Sequence, residues 1–240
     1  MRVFIRLLAL VASLLSSLVA AQSPVNPTGH WEGIVQVPDR PLAIAVDLWS
    51  KPSGELTGTF AQPDQAIKAL PLAAVTAVAR EVRFIVKGGA QPSTFAGSIS
   101  GDGKTLKGDV TLGEYVIPFE LTRVGDARVA AAPKSPRIDA ALVGTWHGAL
   151  NPALRVVVTL ANLPDGTAIG TIFSPDGAAV EMPVAIVQDG ARVMLDVAAV
   201  GGVFEGELDA ATAELVGTWR QAGTSLPLTL VRTKPQGDSE

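Results

Sequence analysis

Over short stretches of the chain, apolar side chains recur at every second position, as in Leu42-Ala43-Ile44-Ala45-Val46-Asp47-Leu48 and Val193-Met194-Leu195-Asp196-Val197. A period of two places them on one face of an extended strand. Turn signals separate these runs at Pro52-Ser53-Gly54, Gly88-Gly89, Gly101-Asp102-Gly103, Pro164-Asp165-Gly166, Asp189-Gly190 and Gly201-Gly202. Several carry the Asp-Gly or Gly-Gly pair that tolerates the positive φ of tight hairpins. Beyond the N-terminal segment no stretch sustains a helical period, so the pattern predicts an all-β protein.

The strand pattern occurs twice. Residues 29–124 lie over residues 143–232 in the same order, with an offset that changes only where a loop changes length. Gly29-His30-Trp31-Glu32-Gly33 falls on Gly144-Thr145-Trp146-His147-Gly148, and Leu42, Ile44, Val46 and Leu48 on Leu154, Val156, Val158 and Leu160. Pro63-Asp64 meets Pro175-Asp176, Phe95-Ala96-Gly97 meets Phe204-Glu205-Gly206, and Arg123 meets Arg232. Shared Gly, Pro and Trp landmarks in one order mark a duplication, which alternation alone would not. The predicted organisation is a signal segment (1–21), repeat one (29–124), a linker (125–142), repeat two (143–233) and a polar tail (234–240). Ser135-Pro136 could open a helical turn ahead of the second repeat.

Each copy holds about eight short strands joined by hairpins. Antiparallel strands in simple succession leave two unpaired edges unless the sheet closes, so two tandem eight-stranded antiparallel up-and-down barrels are the favoured architecture and β-sandwiches the alternative. A barrel of that size is filled by side chains or holds one small ligand. Its inward candidates are Leu, Ile, Val and Phe, and strands this short predict a filled core, with an open ligand cavity as the second reading.

At the N-terminus, Arg2 and Arg6 precede a short apolar run over residues 7–19, and Val19-Ala20-Ala21 offers small residues for cleavage. This reads as a secretory signal and predicts a secreted or periplasmic protein. The run is broken by Ser13, Ser16 and Ser17, short of the about 20 apolar residues of a spanning helix, so no stable membrane insertion is expected after cleavage. Setting aside Arg2 and Arg6 from 19 basic side chains leaves 17 against 23 acidic ones, a balance of −6. No Lys/Arg cluster occurs, which argues against nucleic acid as a partner. The chain has no cysteine, hence no disulfide and no lipidation site, and its stability must come from apolar burial.

Candidate chemistry is sparse. The histidines, His30 and His147, flank the repeat's tryptophans, and alternation turns them outward to solvent if Trp31 and Trp146 point in. One outward histidine per copy and no cysteine leave no metal site, and no cofactor is implied. Trp31, Trp146 and Trp219 are expected to plug the barrels with their indole N–H groups on backbone carbonyls, ligand stacking being the other reading. Trp49 has Ala161 as its counterpart and should lie on the outer face, an exposed indole open to a partner. Asp64 and Asp176, each following a proline, should close their turns by bonding nearby backbone N–H groups, or else rim a site at the barrel mouth. Tyr115, the only tyrosine, follows Glu114 in a hairpin of copy one.

Each copy opens Gly-x-Trp, which resembles the first motif of lipocalins and related calycin barrels. A wider resemblance runs through Gly144-Thr145-Trp146-His147-Gly148-Ala149-Leu150, Ser174-Pro175-Asp176, Gly201-Gly202-Val203-Phe204-Glu205-Gly206, Leu215-Val216-Gly217-Thr218-Trp219 and Ser225-Leu226-Pro227-Leu228-Thr229-Leu230. It is similar to the β-domain that precedes the catalytic domain in exported bacterial α/β-hydrolases. The hydrolase itself is missing, since Gly97-Ser98-Ile99-Ser100-Gly101 holds Ile99 where a nucleophile elbow needs serine. The resemblance therefore implies an accessory fold and assigns no catalytic residue. Copy one departs from it where Gly108-Asp109-Val110 replaces Gly-Thr-Trp and where Pro92-Ser93-Thr94 approaches Phe95. The expectation is a non-catalytic exported binding or accessory protein that contacts a small apolar ligand or a partner protein, with copy one the more specialised half. The alternative is an isomerase, cyclase or hydrolase acting on a lipophilic substrate inside one barrel.

Overall fold

A computed structural model describes residues 25–87, 91–176 and 180–233. The signal segment, the Gly88-Gly89 turn and the polar tail lie outside the described residues. Copy one forms β1 (Gly29–Val35), β2 (Leu42–Ser50), β3 (Leu56–Gln62), β4 (Ile67–Pro71), β5 (Ala73–Val78), β6 (Glu81–Val86), β7 (Ser93–Ile99), β8 (Thr105–Leu112) and β9 (Tyr115–Gly125). A two-residue strand, β10 (Ser135–Pro136), precedes copy two, which forms β11 (Gly144–Asn151), β12 (Leu154–Asn162), β13 (Thr167–Phe173), β14 (Met182–Asp189), β15 (Arg192–Val197), β16 (Gly202–Asp209), β17 (Glu214–Gln221) and β18 (Thr224–Arg232).

Within each copy sequential strands pair antiparallel, β4 with β5 excepted, and the first strand pairs with the last, β1 with β9 and β11 with β18. In copy two β14 pairs with both β13 and β15, which closes an eight-stranded barrel. Copy one is nearly closed: its counterpart of β14 is split into β4, paired with β3, and β5, paired with β6. The break follows Leu72, whose N–H still donates to Gly58 O at 2.9 Å, and is completed by Ala74 at φ 49° and a register shift between Ala73 and Thr76. A bulge of this kind bends a strand and ends its pairing. The expected barrels are therefore present, the first with a kink in its wall.

Burial follows the alternation. Ile44, Val46 and Leu48 of β2 and Val193, Leu195 and Val197 of β15 are buried in two separate apolar cores. Paired glycines, Gly97 with Gly108 and Gly206 with Gly217, let neighbouring strands coil against each other, because a Cβ on Gly108 or Gly217 would overlap the carbonyl of Ala96 or Glu205. One end of each barrel is plugged by tryptophan. Trp31 and Trp146 are fully buried and donate from Nε1 to Pro27 O and Leu142 O, each at 3.0 Å. Arg123 and Arg232 from the last strands lie 4.5 and 5.8 Å from the ring centroids, and burial lowers the Arg123 guanidinium from its ordinary value.

Two local expectations are corrected. His147 is exposed, but His30 is only 3% exposed although it lies on the outer face opposite Asp47. Its Nδ1 lies 2.8 Å from Asp47 Oδ1 and its Nε2 2.8 Å from Glu32 Oε1. The chain leaving copy one covers it: the Arg128 N–H donates to the same Asp47 Oδ1 at 2.7 Å, and the Arg128 guanidinium reaches Glu32. Asp47→Ala should leave the buried His30 Nδ1 without its partner and cost about 1–3 kcal/mol, read as a lower urea midpoint at unchanged slope. The second correction concerns Ser135-Pro136, which opens no helical turn. The segment pairs with β13, and Ser135 Oγ accepts the Ile186 N–H at 2.7 Å, while Ile138 and Leu142 enter the second core.

The two cores meet along one side. A 3-10 turn at Ala198–Val200 packs against β4, and Met182 and Val200 touch both cores. The second barrel thus buttresses the kinked wall of the first.

Candidate functional site

Among the described residues nothing fills the end of barrel one opposite Trp31. A cavity of about 700 Å³ lies there, between the β1–β2 hairpin, the end of β3, the start of β7 and the β8–β9 hairpin. Its floor is Phe60 and Phe95, part of a cluster in which Phe84 stacks on Phe95 at 4.8 Å and Phe119 meets it edge-on at 5.3 Å. Val35, Ile44, Leu70, Val86, Val110 and Ile117 form apolar walls. This corrects the expectation of a filled core for copy one. The volume falls within the about 300–1,000 Å³ of small-molecule pockets.

The cavity exists because copy one lacks the side chain that fills the same place in copy two. Val110 pairs with Phe95 as Trp219 pairs with Phe204, and Ser93 pairs with Leu112 as Gly202 pairs with Gln221. Trp219 is 5% exposed, and its Nε1 donates to Gln221 Oε1 at 3.2 Å, while Gln221 Nε2 donates to Val200 O at 3.0 Å. Its ring lies over Gly202, where any Cβ would overlap it. In copy one Ser93 supplies such a Cβ and Val110 replaces the indole, so the mouth stays open. A groove of about 370 Å³ on copy two is of another kind, running over β14, β15 and β16 past Val187, Arg192 and Glu207.

Polar side chains sit at defined points of the cavity. Gln62, the last residue of β3, follows the buried Gly58 and Phe60 in alternation and is therefore turned inward at 8% exposure. Its Nε2 has no hydrogen-bond partner among the described residues. Gln65, Gln91 and Ser93 line the cavity nearer its opening, with Glu114 and Tyr115 on the exposed β8–β9 hairpin. That hairpin presents Tyr115 at 73% and Val116 at 63% exposure.

Of the seven ligand- or partner-contact candidates read from the sequence (Trp31, Trp49, Asp64, Tyr115, Trp146, Asp176 and Trp219), Tyr115 alone lines this cavity. Trp31 and Trp146 are at the plugged ends, Trp219 fills the mouth of copy two, and Trp49 is half-buried on the outer face of β2, not fully exposed as expected. Asp64 is exposed in a 3-10 turn, Pro63–Gln65, which is closed by the Ala66 N–H on Pro63 O and not by its carboxylate; its neighbours Gln62 and Gln65 line the cavity. Asp176 bonds across strands: Oδ2 accepts the Arg155 backbone N–H at 2.7 Å, and the guanidinium completes the pair. Copy one has Ala43 where this arginine stands, so Asp64 lacks the guanidinium partner that Asp176 has.

The Arg155 side-chain and backbone hydrogen bonds hold the Asp176 carboxyl at about 2, below its ordinary value. Because this pKa is depressed, the clamp's contribution is complete above the ordinary carboxylate range and is lost as pH falls through about 2. The Asp176 carboxyl carbon resonance should titrate with that midpoint, and Arg155→Ala should return it toward the unperturbed range.

Among the described residues no cluster of His, Cys, Asp and Glu could hold a metal ion, and no helix is long and apolar enough to cross a membrane. No protein-family model matches the chain, and no curated protein does. Two crystal structures are similar over 86% of it: a candidate outer membrane protein from Bacteroides fragilis, 13% identical over 97% of its own length with a TM-score of 0.30, and a protein of unknown function of the DUF3598 family from Nostoc punctiforme, 10% identical over 96% with a TM-score of 0.22. The class is defined by the fold itself, a tandem pair of antiparallel β-barrels.

Proposed function

We propose that this protein is a non-catalytic binder of a small apolar molecule, held in the mouth of the first barrel, with the second barrel as a filled structural partner. The observation that carries the reading is the apolar cavity at the point where Val110 and Ser93 stand in place of Trp219 and Gly202. Its titratable lining groups, Glu114 and Tyr115, are both exposed at the rim, and among the described residues no hydrogen bond joins either to a second acid–base group. Binding is therefore better supported than turnover. The N-terminal pattern of Arg2, Arg6 and an apolar run supports a site of action outside the cytoplasm. Apolar cores and charged outer positions such as Glu32, Lys107 and Glu120 run opposite to a membrane-spanning barrel, which turns its apolar face outward.

Titration with the neutral fluorophore N-phenyl-1-naphthylamine tests this reading. The expected result is saturable enhancement with one site per chain, abolished by filling the mouth of barrel one. Absence of saturable binding, or binding indifferent to that change, would overturn it.

A further inference from the structure

Resting on that reading, we infer that Gln62 selects the ligand's chemistry: an uncharged, mostly hydrocarbon molecule carrying one acceptor oxygen, such as a ketone or ester carbonyl, directed at the Gln62 amide. Position 62 occupies an inward step of β3, in line with Gly58 and Phe60, where an apolar side chain would continue the core. An amide there stands beside Ile44, Phe60 and Leu70 in the cavity lining. A side-chain amide has a donor end and an acceptor end, and the buried end without a partner among the described residues is the donor, Nε2. A buried N–H left unpaired is unfavourable, and turning the Gln62 amide so that Nε2 meets a ligand oxygen in the cavity removes the penalty while the rest of the molecule covers apolar surface. Copy two keeps a polar side chain at the matching place, Ser174, whose Oγ also lacks a partner among the described residues. There, however, Trp219 occupies the mouth.

Charge narrows the class further. Among the described residues no Lys or Arg lines the cavity, and its one carboxylate is Glu114 at the rim. A carboxylate or phosphate head would find no counter-charge and would face a like charge, whereas a neutral carbonyl needs only a donor. The combination of long apolar walls, one inward donor and an acidic rim fits a neutral oxygenated hydrocarbon.

The test is competition against N-phenyl-1-naphthylamine by a linear alkane, the methyl ketone of the same chain length and the corresponding carboxylate at pH 8. For the unaltered protein the ketone should displace the probe at about tenfold lower concentration than the alkane, the effect of one hydrogen bond of ordinary strength, and the carboxylate should be weaker than the ketone. Gln62→Leu should bring ketone and alkane together while retaining the probe. Gln62→Met offers the same comparison with a more adaptable side chain. If alkane and ketone displace the probe equally from the unaltered protein, the role of Gln62 fails while the apolar site stands. A carboxylate that outcompetes the ketone overturns the neutral-ligand inference, and a probe that binds nowhere overturns both readings.

Discussion

The double substitution Ser93→Gly with Val110→Trp should abolish probe binding to barrel one and leave the protein folded. The pair rebuilds in copy one the arrangement of copy two, where Trp219 lies over Gly202 and closes the mouth. Neither change suffices alone. Tryptophan at 110 with Ser93 still present would press its ring on the serine Cβ, an overpacking expected to cost about 1–3 kcal/mol. Glycine at 93 without the tryptophan only enlarges the opening. The expected signature is therefore non-additive: Val110→Trp lowers stability, the second change restores it, and only the stable double variant both folds and excludes N-phenyl-1-naphthylamine. Chemical unfolding and probe titration on the four proteins of the cycle measure this. Undiminished probe affinity in a folded double variant would place the site elsewhere.

The converse substitution, Trp219→Val, should open a corresponding space in barrel two at a cost of about 2–4 kcal/mol. A buried indole removed from a packed core loses its transfer free energy and leaves a void that the surroundings close only partly. Here the loss spreads further, because the indole N–H donates to Gln221, which in turn holds Val200 O in the turn packed against β4 of barrel one. The unfolding midpoint should fall, and probe stoichiometry should rise from one site per chain to two. If the midpoint is unchanged, the tryptophan is not the plug that its burial indicates.

The repeat comparison marks the two positions on which the first prediction turns. The loss of the second tryptophan at Val110 and the altered approach to Phe95 at Pro92-Ser93-Thr94 were visible as departures of copy one from copy two. What they did not disclose is that Ser93 and Val110 act together, since they stand on adjacent strands 17 positions apart and become neighbours only when β7 pairs with β8. The inward turn of Gln62 is hidden in the sequence for a similar reason. It belongs to a loop signature, Gln62-Pro63-Asp64-Gln65, in which the proline and the acid draw attention. Continuing the alternation of β3 by one step would have turned the amide inward.

His30 marks the limit of local pattern. Alternation correctly separates it from Trp31, yet outward from the barrel does not mean outward to water once Arg128, 98 residues later, lies over that face. By itself, the sequence determines the all-β class, the duplication, the inward-facing set and the tryptophan plugs, because a strand's side-chain period is a local property of the backbone. Only the tertiary structure decides which barrel closes fully, which polar groups are covered and where space remains. Those outcomes depend on volumes and contacts summed over strands far apart in the chain, and no single stretch of sequence contains that sum.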